Sequence, residues 1–161
     1  MKIKNNDYLP DSEVFILKNN QPIKTSVLDL IKDKKIILFG IPGAFTSTCS
    51  KKHLPGFQNN SKKFFDNGIE AIFCISVNDP FVMNAWAQSN NVERTVIMIS
   101  DPYFEFTKKI GADIDRSDKG MGIRSKRYSM IIEKRKVVGI FVEKDTSMCD
   151  ISAAETIIKN L

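Results

Sequence analysis

Cys49 is the side chain in this sequence best placed to act as a nucleophile. It stands in GIPGAFTSTCSKKHLPGF, which runs from Gly40 to Phe57. An apolar run, KIILFG (Lys35 to Gly40), leads into a Pro42-Gly43 turn, and polar residues suited to opening a helix follow. That order places Cys49 in a first helical turn. Backbone N–H groups there have no partner inside the helix, and the helix dipole is positive at that end. Both effects favour thiolate over thiol, and the thiolate is the reactive form. Lys51, Lys52, Arg124 and Arg127 are cations that could favour it further. Thr46, three residues upstream, carries a hydroxyl that can donate and accept, which suits the orientation of a small oxygen-bearing substrate. Pro42 would stiffen the approach to the sulfur and shield it from water.

The other candidate groups are few. The chain has three cysteines, Cys49, Cys74 and Cys149, and a single histidine, His53. An odd count at wide spacing is not a disulfide framework. With no C-x-x-C and one histidine, no structural metal site is expected. This usage of cysteine fits a reducing compartment. Cys74 lies in the apolar run AIFCISV and reads as a small buried hydrophobe. Cys149 lies in the polar segment KDTSMCD and is expected to be more exposed. His53 follows Cys49 by four residues, so the two share a helix face. A packing and hydrogen-bonding role suits it better than a protease-like Cys–His pair.

The elements that must position these groups follow from periodicity. Near-continuous apolar runs predict buried strands at Lys35 to Gly40, Ile69 to Val77 and Val96 to Ser100, with a shorter strand at Val14 to Leu17. Helices are expected over Thr25 to Asp33, over Ser47 to Asn67 with a kink or break at Pro55, from Asp79-Pro80 through Ser89, and in DPYFEFTKKIG ending at Gly111. Tyr128 to Ile132 and Val137 to Val142 read as a hairpin around a charged turn at Glu133 to Lys136. Ser152 with Glu155 has the spacing of a capping box for a last helix. Strands alternating with helices, then a hairpin and a final helix, imply an α/β domain with a mixed central sheet. The 161 residues fit one domain, spanning 1–161.

Composition excludes several roles. The chain is 42% hydrophobic and 27% charged, with net charge +5. The basic residues are scattered in pairs, apart from RSKRY and KRK, without the motifs or aromatic interleaving of nucleic-acid binding. No apolar run approaches the roughly 20 residues of a membrane-spanning helix. The start, MKIKNNDYLP, lacks a secretory h-region. A cytoplasmic location is expected, with no nucleic acid and no membrane as partner.

PGAFTSTCSKKHLPGF resembles the signature of the type II, or atypical, peroxiredoxins, with Pro42-x-x-x-Thr46-x-x-Cys49 in the place of the peroxidatic motif. SVNDPFVMNAWA (Ser76 to Ala87) and RSKRYSMIIE (Arg124 to Glu133) are similar to two further blocks of that family, in the same order. The resemblance implies a thioredoxin-like three-layer fold, reduction of hydrogen peroxide and alkyl hydroperoxides, no cofactor, and a homodimer. By position Pro42, Thr46 and Cys49 match the active-site loop, and Arg127, rather than Arg124, matches the arginine that completes it. Gly43, Phe45 and Phe81 are candidate pocket residues. Phe45, Phe81 and Trp86 could form an apolar collar for alkyl peroxides, although core or dimer contacts explain them better.

The expected chemistry is attack of the Cys49 thiolate on a peroxide oxygen. Arg127, the Thr46 hydroxyl and nearby backbone N–H groups would stabilise the charge that develops on the leaving oxygen. The product is a sulfenic acid, which a second thiol must reduce. Glutathione or a glutaredoxin is favoured for that step. Cys149 is the candidate resolving residue in an alternative recycled by thioredoxin. A thiol–disulfide oxidoreductase lacks its second adjacent cysteine here. A non-catalytic thioredoxin-like binding module or peroxide sensor is the reading from a different class.

Overall fold

The computed structural model describes residues 1–92 and 95–161. The described residues form nine strands and six short α-helices. The strands are β1 (Glu13–Lys18), β2 (Gln21–Ser26), β3 (Lys35–Gly40), β4 (Ala71–Ser76), β5 (Ile97–Ser100), β6 (Asp113–Asp115), β7 (Ile123–Ser125), β8 (Tyr128–Glu133) and β9 (Lys136–Val142). The helices are α1 (Val27–Ile31), α2 (Leu54–Asn59), α3 (Ser61–Asp66), α4 (Pro80–Ser89), α5 (Glu105–Lys109) and α6 (Ala154–Ile158). Seven strands form one mixed sheet in the order β2-β1-β5-β4-β3-β8-β9, and β6 pairs with β7 apart from it. β3, β4 and β5 run parallel, and β8 lies antiparallel to β3. This is the mixed α/β, thioredoxin-like sheet that the element order predicts.

Strand alternation splits the core in two. Ile36, Leu38, Phe73, Ile75, Tyr128 and Met130 face one layer with α5. Ile37, Phe39, Ile72, Cys74 and Ile131 face the other, where Cys49, Phe57, Phe64 and Trp86 meet them. Gly40 is required by the first layer. A Cβ there would stand 2.2 Å from the ring of Tyr128, its partner across β3 and β8.

Several local expectations need correction. β2 was not expected as a strand, and α1 begins at Val27 rather than Thr25. QPIKTS is a polar edge strand without apolar alternation. Its signal is the turn before it, where Asn19 and Asn20 both take positive φ, as a two-residue hairpin turn demands. β6 and β7, three residues each, also escape the apolar pattern. Pro55 does not divide the helix after Cys49. The helical path instead opens at Ser47, widens into a π-turn over Cys49–His53, and breaks later, at Asn60. Proline has no N–H to give the carbonyl four residues back, and the wide turn just before it accommodates that loss. Ser152 does not cap α6. Its hydroxyl and N–H both go to Glu143 Oε1, at 2.9 and 2.8 Å, and Ala153 takes the N-cap position.

Candidate active site

The loop after β3 presents Pro42 to Thr46 and is fastened from two sides. Ala44 N–H donates to Asn78 Oδ1 at 2.9 Å, and the Thr46 hydroxyl donates to the Gly43 carbonyl at 2.8 Å. Phe45 adopts φ 62, which turns the chain into the helical path. Cys49 then opens the π-turn with its side chain against β4 and β8, fully buried. Cys49 and His53, four residues apart, are the two buried residues of this turn and share its inner face.

Arg127 precedes β8 by one residue. Alternation puts Arg127 on the face of Ser129 and Ile131, the face that meets Cys49. Its side chain is 1% exposed. Nη2 donates to Cys49 Sγ at 3.3 Å and to the Thr146 carbonyl at 2.8 Å. Nε reaches the same carbonyl at 3.2 Å. Nη1 donates to His53 Nδ1 at 3.1 Å. A guanidinium has no lone pair to offer, so Nδ1 must accept and the imidazole proton sits on Nε2. Nε2 donates in turn to the Ser152 carbonyl at 3.1 Å, which also accepts the Ser129 hydroxyl at 2.7 Å. Burial, then the charge of Arg127, push His53 down to about 3, against the opposing pull of the Ser152 carbonyl. His53 is therefore a neutral spacer that fixes the guanidinium, not a base for Cys49.

Glu143, at the end of β9, organises the segment that supplies both carbonyls. Its Oε1 accepts Asp150 N–H at 2.7 Å as well as the two Ser152 groups. Glu143, Ser129, Arg116 and the Thr146 and Ser152 carbonyls had no place in the sequence reading. Backbone oxygens have no residue-type signature. Glu143 did leave one, as a lone acid closing the apolar strand VVGIFVE.

The remaining predicted residues fall as follows. Arg124 donates through Nε to the Met121 carbonyl at 2.9 Å, and Arg127, not Arg124, contacts the sulfur. Gly43 is buried, and a Cβ there would lie 3.5 Å from both Arg124 Nη1 and Thr46 Cγ2. Phe45 and Phe81 are exposed and do not line the cleft at Cys49. Trp86 is core, with Nε1 donating to Ser50 Oγ at 2.9 Å. Cys149 is buried at 8% exposure, more exposed than Cys74 at 0% but still inside, because Glu143 folds its segment inward. Desolvation pushes the Cys149 thiol up to about 11, with Glu143, Asp150 and Cys49 adding to the shift and Arg127 opposing it. Burial also pushes Cys74 well above its ordinary range.

A cleft of about 160 Å³ opens over this cluster between Pro42, Thr46, Arg127, Thr146 and Arg116. A larger groove of about 440 Å³ lies between β1, α4 and β5, but its lining holds no titratable side chain. Among the described residues no cluster of potential metal ligands occurs, and no helix is long and apolar enough to cross a membrane.

Residues 4–158 match the family model for Redoxin. Peroxiredoxin-2D of Arabidopsis thaliana is 40% identical, with 96% of each chain covered. The chloroplastic Peroxiredoxin-2E of the same plant is 42% identical over 96% of this chain and 68% of its own. Among solved structures, reduced Prx3 of Vibrio vulnificus in complex with hydrogen peroxide superposes with TM-score 0.92 at 37% identity, covering 98% of both chains. On sequence and on fold the chain belongs to the Redoxin family and, within it, to the type II peroxiredoxins, which are thiol-dependent peroxidases.

Proposed function

We propose that the protein reduces hydrogen peroxide and alkyl hydroperoxides through a sulfenic acid on Cys49, and that glutathione, directly or through a glutaredoxin, regenerates the thiol. The observation that carries this reading is the 3.3 Å contact from Arg127 Nη2 to Cys49 Sγ at the floor of a hydroxyl-lined cleft. The Cys49 thiolate attacks the nearer peroxide oxygen. The S–O bond forms and the O–O bond breaks; the attacked oxygen stays on sulfur with its hydrogen as the sulfenic acid, and the departing oxygen takes a proton from solvent to leave as water or an alcohol. Arg127 keeps its planar fork beside both sulfur and incoming oxygen, an arrangement that lysine cannot reproduce. Its donors act where negative charge grows, so they stabilise the transition state more than the ground state. The hydroxyl proton of Thr46 is committed to the Gly43 carbonyl, so its lone pairs are what it offers. Thr46 thus accepts from a peroxide O–H and orients it. The sulfur has no exposed surface of its own, so the oxidant reaches it past Thr46 and Arg127.

The sulfenic acid condenses with a thiol to release water. Cys149 is the second candidate for this step, since it is close enough to feel the charge of Cys49. A thiol pushed up to about 11 holds little thiolate near neutrality, which favours an external thiol. Peroxide consumption should proceed with glutathione and glutaredoxin, and mass spectrometry should find glutathione on Cys49. A dominant Cys49–Cys149 bridge, with turnover that needs both residues and thioredoxin, would establish the alternative. No peroxide loss with any reductant would leave the sensor reading. We also propose a homodimer formed through Phe45 and Tyr103, on loops, and Phe81, in the first turn of α4, all more than half exposed. A monomer in sedimentation equilibrium would exclude it. A cytoplasmic location remains part of this reading.

A further inference from the structure

Arg116 lines the cleft over Cys49, and no step above uses it. Its backbone is pinned in the link from β6 to β7. Its N–H donates to the Gly122 carbonyl at 2.8 Å, and its own carbonyl accepts Lys119 N–H at 3.0 Å and Met121 N–H at 3.1 Å. The side chain is 22% exposed and lines the mouth of the cleft. Among the described residues its nearest carboxylate is the exposed Asp118, 3.9 Å away, a distance and exposure at which an ion pair contributes little. Asp145 feels the charge of Arg116 and Lys119. The Asp145 carboxylate is already engaged through Oδ1, by Ser147 N–H at 2.7 Å and Ser147 Oγ at 2.6 Å. The exposed Ser47 hydroxyl stands on the same rim. The two guanidiniums of the cleft therefore differ. Arg127 is bound to sulfur, imidazole and carbonyl, whereas Arg116 keeps its fork of donors for something that arrives.

We propose that Arg116, with Ser47, forms a carboxylate subsite at the cleft mouth that selects acid-bearing reactants for Cys49. The proposal rests on the thiol-peroxidase reading. A planar guanidinium pairs with a carboxylate through two parallel N–H···O bonds, and a neighbouring hydroxyl can donate a third. Two kinds of reactant could present that group. One is a hydroperoxide with a carboxylate tail. The other is glutathione, through its glycine carboxylate.

Matched acid and ester pairs separate them. The reduced protein is mixed with linoleic acid hydroperoxide or its methyl ester, and the peroxide-oxidised protein with glutathione or its glycine ethyl ester. Second-order rates are followed by stopped flow. The wild type should favour the acid over the ester about fivefold in at least one pair. Arg116→Gln should bring that ratio close to one, and Arg116→Glu should invert it. Loss in the first pair names an acidic hydroperoxide, and loss in the second names glutathione. The subsite is overturned if the wild type has no acid preference, if the ratio survives both substitutions, or if all four rates fall together. The reaction of the wild type with hydrogen peroxide, small and uncharged, tests the underlying reading separately.

Discussion

Cys49 and Cys149 are both buried, and both lie within the field of Arg127, yet they meet its guanidinium differently. Cys49 receives a guanidinium N–H at 3.3 Å. Cys149 sits on a segment held by a buried carboxylate, Glu143, and next to Asp150; burial is the first cause that disfavours its thiolate, Arg127 offsets part of it, and the two carboxylates add to it. Burial alone does not mark the reactive sulfur in this fold. What distinguishes the two is a direct guanidinium hydrogen bond, which Cys49 takes and which, among the described residues, Cys149 does not. The same Glu143 segment serves both, because its Thr146 and Ser152 carbonyls hold Arg127 and His53 in line with Cys49.

That contrast can be broken at several points. The largest effect is expected from Cys49→Ser, which should reduce peroxide consumption to background, because the attacking atom is gone. Residual turnover carried by Cys149 or Cys74 would refute the contrast. Glu143→Ala should come next. It leaves the Asp150 and Ser152 donors without their acceptor, at a cost of about 3 kcal/mol in a denaturation experiment. The loosened segment should also slow oxidation of Cys49 by about tenfold, since Arg127 loses its hold on Thr146. An unchanged midpoint would mean that the segment is held by something else.

His53→Gln isolates the imidazole proton, since an amide can also accept from Arg127 and donate to Ser152. His53 titrates at about 3 in the folded chain, below its ordinary unfolded value near 6.5. The unfolded chain thus binds more protons in that window, so the stability His53 contributes is complete above pH 6.5 and falls as the pH drops. Between pH 6.5 and 5 the wild type should lose roughly 1–2 kcal/mol more than His53→Gln. Parallel stability curves would show a protonated imidazole. The smallest effect belongs to Cys149→Ser, which should leave glutathione-dependent turnover within about twofold, because a thiol so disfavoured as thiolate adds little attack. A large loss would make Cys149 the resolving residue.

The sequence was most legible where one physical preference dominates a segment. KIILFG and AIFCIS are apolar on both faces and could only be central strands. Lys134-Arg135 takes two positive φ values, as the hairpin between β8 and β9 requires. QPIKTS and the β6–β7 pair were hidden because exposed edge strands need no apolar pattern. In the site, Pro42, Thr46 and Cys49 lie within one loop and could be read together. Arg127 came from the resemblance of RSKRYSMIIE to a block of the type II family. Its partners were out of reach, because a carbonyl at Thr146 or Ser152 is set by how a distant segment folds. The capping-box spacing at Ser152 misleads for the same reason. A carboxylate nine residues upstream competes for that hydroxyl and wins by being buried with it.

The contact between Arg127 and Cys49 is tested most directly by the stopped-flow rate of Cys49 oxidation by hydrogen peroxide in wild type, Arg127→Ala and Arg124→Ala. Arg127→Ala should lower the second-order rate about 10²- to 10³-fold, the usual loss for a donor aimed at developing charge. Arg124→Ala, which removes only a bond to the Met121 carbonyl, should lower it far less. Equal rates for Arg127→Ala and wild type, or a greater loss from Arg124→Ala, would contradict the assignment of Arg127 to the sulfur.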